Sequence, residues 1–294
     1  MKALVIGANG FIGANLTAKL LKKKWKVRVL VRSKETKFKD ENVYVGDIAN
    51  LNLLRRATKG VEVVFNCAAA LPHHKLLDEE YYKTNVNGLK NILDAIKGTK
   101  TTLVHLSTVG IYDSLRDAYV KTKIKGESLI REYEKKFKVR VVIIRPTIAY
   151  GPGDTRPGFL NLFRLVKKGI FPLIGRGENF FHTVYVENLC QALVLAAKKK
   201  RVIGDDFIIG DGKVPKMKEI LEEMTEILGK KPIRFYISRT LAFFFLPSRR
   251  VRFLTEDRKY KIDKARRILG YKPKIGLKLG LQKTYDWYRL NGYL

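Results

Sequence analysis

Apolar positions along the chain follow two alternating patterns. Short continuous runs rich in branched residues, at positions 2–6, 26–31, 43–46, 61–66, 101–106 and 139–144, read as buried strands. Between them, apolar residues recur three and four apart, as on helices that bury one stripe. Phe11, Ile12, Leu16, Leu20 and Leu21 mark the first inner face, and Leu51, Leu54 and Ala57 the next. Residues 79–96 read as one long helix, and another opens at Tyr119 and continues through Ile124, Glu127, Leu129, Ile130 and Tyr133. Strand following helix in this order predicts an α/β fold, a Rossmann-type doubly wound parallel sheet covered on both faces and wound by right-handed crossovers. The alternation ends in the turn-rich residues 145–154. Residues 1–154 are therefore expected to bind the nucleotide, joined by a strand returning near 206–209. Residues 155–294 are expected to form a smaller mixed α/β substrate lobe.

That second part carries helical patterns at Phe159–Leu160–Leu162–Phe163–Leu165–Val166, over residues 217–228 and over residues 277–288. Residues 241–246 read Leu-Ala-Phe-Phe-Phe-Leu, stopped by Pro247 and followed by Arg249 and Arg250. Core packing or a helix–helix subunit contact is the leading expectation for them. An apolar substrate pocket and an anionic membrane surface are the alternatives.

Candidate chemistry begins at the first strand, which runs into Gly7-Ala8-Asn9-Gly10-Phe11-Ile12-Gly13. A strand, a glycine turn and a helix start present backbone N–H groups and a helix dipole to a pyrophosphate. Gly7 permits the turn, Gly10 the approach of phosphate, and Gly13 close packing of helix on strand. Asn9, Phe11 and Ile12 belong to the same cradle. Val31-Arg32-Ser33 stands where an NAD site commonly places a carboxylate on the ribose. An arginine attracts a 2′-phosphate instead, which favours NADP over NAD through Arg32. Asp47, followed by Ile48, is a candidate for the adenine amine or for a turn cap. The small residues of Asn66-Cys67-Ala68-Ala69-Ala70 would let a ligand approach a strand end. His73 and His74 are neighbours that cannot easily face one metal, and no metal spacing is present.

Ser107 and Thr108 follow the fifth strand, at the rim where such sheets bind ligands. Tyr119 and Lys123 stand four apart, so a helix projects them side by side. Tyrosine ordinarily titrates near ~10 and lysine near ~10.4. An ammonium beside a phenol favours the phenolate, which makes the pair a proton-transfer device.

Composition adds one oddity. Of 294 residues, 59 are Lys or Arg and 28 Asp or Glu, a net charge of +31. The cations are scattered, in short groups such as Lys22–Lys24, Lys230–Lys231 and Arg266–Arg267, which reads as a solvated basic surface and argues against a dedicated nucleic-acid site. No apolar run is long enough to span a bilayer, and the start lacks a signal-peptide layout. Two widely separated cysteines, Cys67 and Cys190, offer no disulfide framework, so the reducing cytoplasm is expected.

Taken together, the motifs resemble the extended short-chain dehydrogenase/reductase family of the NAD(P)-dependent epimerase/dehydratase type. They include Gly7-x-x-Gly10-x-x-Gly13, Gly46-Asp47-Ile48, Asn85-Val86-Asn87-Gly88, Ser107-Thr108, Tyr119-x-x-x-Lys123, Arg145-Pro146-Thr147, the stretch from Val184 to Asn188, and Leu269-Gly270-Tyr271-Lys272-Pro273. The resemblance implies that Tyr119 exchanges the hydroxyl proton and that Lys123 holds the nicotinamide ribose and lowers the Tyr119 pKa. Thr108, with Ser107 as neighbouring candidate, would orient the substrate oxygen. Hydride would then move at a secondary alcohol or ketone, with a nucleotide-sugar epimerase as first reading. The second is an NADP-dependent carbonyl reductase like the 3β-hydroxysteroid dehydrogenases and dihydroflavonol reductases. A non-catalytic dinucleotide-sensing or RNA-associated protein is the reading from another class. Expected partners are a small-molecule substrate and a second copy in a homodimer, with peripheral membrane contact a lesser expectation.

Two departures from the family stand out. Val109-Gly110 after Thr108 replaces the Asp-Glu pair of dehydratases, which removes the acid/base groups for losing water. Phe181 stands where many nucleotide-sugar epimerases place a diphosphate-binding arginine, leaving Arg156, Arg164 and Arg176 as candidates for that role.

Overall fold

The branched runs become strands and the periodic stretches helices, in a computed structural model that describes all residues except 37, 39–41, 75, 114, 115, 231 and 232. Side chains at 171, 172, 233–235, 249 and 250 are also outside the description. Of the basic groups named above, Lys231 lies outside the described residues. The first elements are β1 (Lys2–Ile6), α1 (Phe11–Lys22), β2 (Lys26–Val31), β3 (Val43–Val45), α2 (Leu51–Thr58), β4 (Val63–Asn66), α3 (Asp78–Tyr82) and α4 (Gly88–Ile96). Then come β5 (Thr102–Leu106), α5 (Ala118–Phe137), β6 (Arg140–Pro146), β7 (Ile148–Tyr150), α6 (Pro157–Lys167), β8 (Ile170–Ile174), β9 (Thr183–Tyr185) and α7 (Val186–Lys198). The chain closes with β10 (Asp206–Ile209), α8 (Met217–Ile227), β11 (Ile233–Ile237), α9 (Arg239–Phe245), α10 (Ser248–Thr255) and α11 (Leu277–Leu290).

Two compact units result. The first comprises Met1–Pro146, Cys190–Ile209 and Ile262–Tyr271; the second comprises Thr147–Leu189, Gly210–Lys261 and Lys272–Leu294. The first unit is built on a seven-stranded sheet in the order β10-β6-β5-β4-β1-β2-β3, with every neighbouring pair parallel. Parallel strands covered by helices are apolar on both faces, which is why β4 and β5 are buried at every position. Leu4, Ile6, Leu54, Ile92, Leu93, Leu103, Ile130 and Ile143 share one core cluster. Burying each such side chain contributes about 1.5–3 kcal/mol. On α1, Leu16 and Leu20 are buried as expected, but Leu21 is 50% exposed and Phe11 and Ile12 only half-buried.

The long helix expected over residues 79–96 forms, with a local change of winding inside it. α3 gives way to a π turn at Lys83–Asn87 before α4 begins. The turn lets the buried Asn85 side chain take up the backbone of Ala70: Ala70 N donates to Asn85 Oδ1 at 2.8 Å, and Asn85 Nδ2 donates to Ala70 O at 3.2 Å. The same Nδ2 reaches Thr122 Oγ1 on α5 at 3.0 Å. A polar side chain that saturates three buried groups stabilises a helix irregularity that apolar spacing does not register.

The second unit contains two small parallel pairs, β7–β9 and β8–β11. Its core is aromatic: Tyr150 stacks on Phe159 with ring centroids 4.7 Å apart, and Tyr288 meets Phe163 edge-on at 5.8 Å. Ile220, Leu221 and Met224 of α8 join this cluster. The core-packing expectation for residues 241–246 holds for Ala242 and Leu246 and fails for the aromatics. Ala242 is buried, but Phe244 and Phe245 are 81% and 77% exposed. A two-turn amphipathic helix on a small unit has room to bury only its inner stripe.

Candidate active site

In the parallel sheet, loops after β5, β4, β1, β2 and β3 leave from the same end, side by side in that order. Ser107–Thr108, Cys67–Ala68, the glycine turn, Arg32–Ser33 and Gly46–Asp47 therefore form one rim.

The glycine turn is built as its spacing predicts. Gly7 has φ +79°, and a Cβ there would lie 2.9 Å from Ala68 N. A Cβ on Gly13 would come within 2.2 Å of the Gly7 carbonyl oxygen. The tight turn and the close helix–strand approach thus both exclude side chains. Among the described residues no side chain caps Gly10 at the start of α1, and the first turn holds no acid, which leaves the positive helix end to an anion. Asn9 ties the turn to the segment after β2, donating from Nδ2 to Glu35 O at 3.2 Å and accepting from Thr36 Oγ1 at 2.9 Å.

Arg32 is exposed at the end of β2, close enough to His74 that, after burial, it is the second cause holding that imidazole below its ordinary pKa. Ser33 Oγ accepts from Glu35 N at 3.1 Å. Asp47 acts in its own turn, accepting from Ala49 N at 2.7 Å. Ile48 is buried against Gly88, where a Cβ would lie 2.3 Å from Ile48 Cδ1, so its side chain serves packing. His73 and His74 sit in a short 3-10 turn with rings edge-on at 4.4 Å. Among the described residues no group of three or more His, Cys, Asp or Glu is arranged to hold a metal ion.

Asp117 caps α5, accepting from Val120 N at 2.8 Å, and so sets Tyr119 in the first turn. Tyr119 is half-buried; Lys123, one turn on, is 3% exposed. Lys123 Nζ lies 5.9 Å from the Tyr119 ring centroid and donates to Leu106 O, at the end of β5, at 2.8 Å. Burial lowers the Lys123 pKa to about 8, with Glu127 and Cys67 pulling it back toward the charged form. Cys67 is the link to the glycine turn, because its carbonyl carbon lies 3.0 Å from a Cβ position on Gly7. Burial pushes its thiol pKa up, Cys190 adds to this, and Lys123 opposes it. The two cysteines, distant in sequence, are thus electrostatic neighbours in the first unit.

Thr108 and Ser107 differ in what they can offer. Thr108 is half-buried, and its Oγ1 accepts from Gly110 N at 3.0 Å. Ser107 is buried and donates to Glu127 Oε1 at 2.5 Å. Glu127 is a residue whose place in the site the sequence alone did not reveal. It receives Arg145 in two parallel bonds, Nε to Oε1 at 2.9 Å and Nη2 to Oε2 at 2.6 Å. Arg145 also donates from Nη1 to Asp206 Oδ2 at 2.5 Å and to Tyr112 OH at 2.7 Å. Burial opposes its charge, but the Glu127 bonds and then Asp206 hold the guanidinium ionised beyond its usual range. The i, i+4 repeat Tyr119, Lys123, Glu127, Arg131 was the available signal.

The second unit contains an open cavity of about 590 Å³ lined by Leu173, Arg176, Glu178, Lys218, Tyr236 and Ile237, among others. Of the three candidate arginines, Arg156 is held by Asp154, with Nε to Oδ1 at 2.6 Å and Nη2 to Oδ2 at 2.8 Å. Arg164 reaches Tyr293 O at 3.4 Å, and Arg176 faces the cavity. Phe181 is buried. Asp211, also missed, accepts from Asn188 Nδ2 at 2.8 Å and from Tyr185 N at 3.0 Å; burial raises its pKa to about 6 against those bonds.

Comparison with known proteins adds independent information. A family model described as "NAD dependent epimerase/dehydratase family" matches residues 3–210. UDP-glucose 4-epimerase of Vibrio cholerae is 30% identical over 165 residues, covering 54% of this chain and 50% of that protein. The 3beta-hydroxysteroid-dehydrogenase/decarboxylase isoform 1 of Arabidopsis thaliana is 28% identical over 195 residues, covering 55% and 43%. The chain spans about half the length of the curated relatives it matches. The crystal structure of UDP-glucuronic acid 4-epimerase from Bacillus cereus, in complex with UDP-glucuronic acid and NAD, superposes with a TM-score of 0.82 at 24% identity, over 99% of this chain and all of that one. That likeness shows the fold.

Proposed function

This chain belongs to the NAD-dependent epimerase/dehydratase family, and from that premise we propose that it is an enzyme moving a hydride at a secondary alcohol or ketone. One observation carries the reading: a buried lysine lies 5.9 Å from the Tyr119 ring centroid and is bonded to the end of β5, on the same sheet rim as a glycine turn with no room for a side chain at Gly7 or Gly13. The cofactor supplies the hydride chemistry when bound. The chain's own groups do the rest. Gly7, Gly10, Gly13 and the α1 amides bind the pyrophosphate, with Asn9, Phe11, Ile12, Asp47, Ile48 and Ala68 around the dinucleotide. Lys123 holds positive charge beside the phenol and meets the ribose. Thr108 already accepts a backbone bond, so its own proton can be donated to the substrate oxygen. Tyr119 then gives or takes the hydroxyl proton. Ser107, bonded to Glu127, holds the strand end.

Tyr119→Phe keeps the ring and removes the proton. Its expected effect is a loss of turnover of about 10²–10⁴-fold with cofactor affinity nearly unchanged. Near-normal turnover by that variant would refute the assignment.

For the cofactor, the exposed Arg32 at the end of β2 supports NADP. Arg32→Ala should weaken NADP binding by at least about tenfold while sparing NAD. Equal effects on both would remove the preference.

For the substrate, the first reading is a nucleotide-linked sugar undergoing epimerisation, in line with the Vibrio cholerae relative, with the residues from 155 onward contributing most substrate contacts. Arg176 at the cavity is its candidate anion partner. Purified protein should then carry bound nucleotide and show no net change in nicotinamide absorbance during turnover. The buried Phe181 favours a second reading, a steroid- or flavonoid-like alcohol or ketone with no diphosphate. Stoichiometric oxidation of added NADPH would select it.

A further inference from the structure

The helix pair α9–α10 presents an apolar face that nothing in the second unit covers. Leu241, Phe244 and Phe245 share one side of α9, at i, i+3 and i+4, and are 49%, 81% and 77% exposed. Phe243 and Phe253 are each 40% exposed, and Tyr236, before α9, is 58% exposed. The pair is anchored from beneath by Ala242 and Val251 packed with Ile174. The outward aromatics are therefore held on a fixed platform.

Along the sequence of the two helices the charge is of one sign. Residues 239–255 contain four arginines, at 239, 249, 250 and 252, and no Asp or Glu. Arg239 lies over the Phe243 ring at 5.8 Å, and Arg252 is exposed. The acids that follow are engaged: Asp257 Oδ1 accepts from Phe180 N at 2.8 Å, and Glu256 pairs with Arg258 at 3.8 Å. Adjacent aromatic and arginine side chains suit a boundary where acyl chains meet phosphate headgroups. Anionic lipid also attracts the +31 chain as a whole.

We propose that the α9–α10 face docks this protein on an anionic lipid surface, with Phe244 and Phe245 entering the acyl boundary and Arg239 and Arg252 remaining among the headgroups. The contact is interfacial: among the described residues no helix is long and apolar enough to cross a membrane. A second copy fits the face poorly. Symmetric pairing would bring two helix pairs together whose own charged residues are all arginines.

The test is flotation of the full chain with vesicles of phosphatidylcholine alone and of phosphatidylcholine mixed with phosphatidylglycerol. Binding to the mixed vesicles is expected, at least about tenfold weaker to phosphatidylcholine alone. The double variant Phe244→Asp/Phe245→Asp should lose at least about tenfold on mixed vesicles while keeping the wild-type circular dichroism spectrum. In a Phe244→Trp variant, the fluorescence added over wild type should shift to shorter wavelength with mixed vesicles. Three outcomes would overturn the proposal: no binding by wild type, equal binding by the double Asp variant, or a wild-type dimer that the double variant dissociates with no vesicle binding by either.

Discussion

At Lys123, burial and chemistry pull against each other. The side chain is 3% exposed, and desolvation lowers its pKa from 10.5 to about 8. Below about 8 the ammonium is retained in the folded chain at a cost, held by the Leu106 carbonyl and the charge of Glu127. Between about 8 and 10.5 the unfolded chain binds the proton and the folded chain does not. Stability therefore rises with pH across this window. The benefit is complete above 10.5 and lost as pH falls through about 8; the gap corresponds to on the order of 3 kcal/mol. Lys123→Met should flatten that part of the stability–pH curve in urea titrations and abolish turnover. Parallel curves for variant and wild type from pH 8 to 10.5 would show that the folded lysine titrates normally.

Among the elements, α5, β6 and β10 are joined by charge as well as by the sheet. Arg145 of β6 holds Glu127 of α5 and Asp206 of β10, while Arg131 of α5 reaches the other oxygen of Asp206 at 3.0 Å. Removing one member leaves a half-buried carboxylate uncompensated. Arg145→Leu should destabilise the chain by about 3–5 kcal/mol, and adding Glu127→Gln should recover part of that loss. An Arg145→Leu variant within about 0.5 kcal/mol of wild type would mean that the network contributes nothing net. This network also marks a limit on what the sequence reveals. The glycine turn and the Tyr119–Lys123 pair are legible because each is one local segment whose spacing dictates its geometry. The strands are legible because burial on both faces leaves continuous apolar runs. Ser107 and Arg145 stand 20 and 18 residues from Glu127, and only the pairing of β5 with β6 and their packing against α5 bring them together. Likewise Asn85 sits in a π turn within a helix and bonds to Ala70, 15 residues away, while the apolar spacing continues unchanged. The short pairs β7–β9 and β8–β11 are missed because β7 and β9 have only three residues each and the apolar runs of β8 and β11 are broken by Pro172 and Arg234.

For the whole molecule, the charge balance decides how salt acts. With 59 basic and 28 acidic side chains, at least 31 cations lack a one-to-one carboxylate partner. Exposed pairs such as Lys278 with Glu226 or Lys216 with Glu178 weaken as salt rises, which by itself would destabilise the chain. Repulsion among the excess cations weakens over the same range and acts in the opposite direction. Surface pairs are worth little each, whereas the unpaired excess is as large as the number of acids, so relief of repulsion should win. Raising sodium chloride from about 0.01 M to about 0.1 M shortens the screening length from about 30 Å to about 10 Å. The thermal midpoint should then rise by about 3 °C, equivalent to about 1 kcal/mol for a chain of this size. The same salt should weaken binding to mixed lipid vesicles, since there the excess charge is what attracts. A midpoint that falls with salt would mean that the pairs outweigh the repulsion, and that the cations are spaced widely enough to ignore one another.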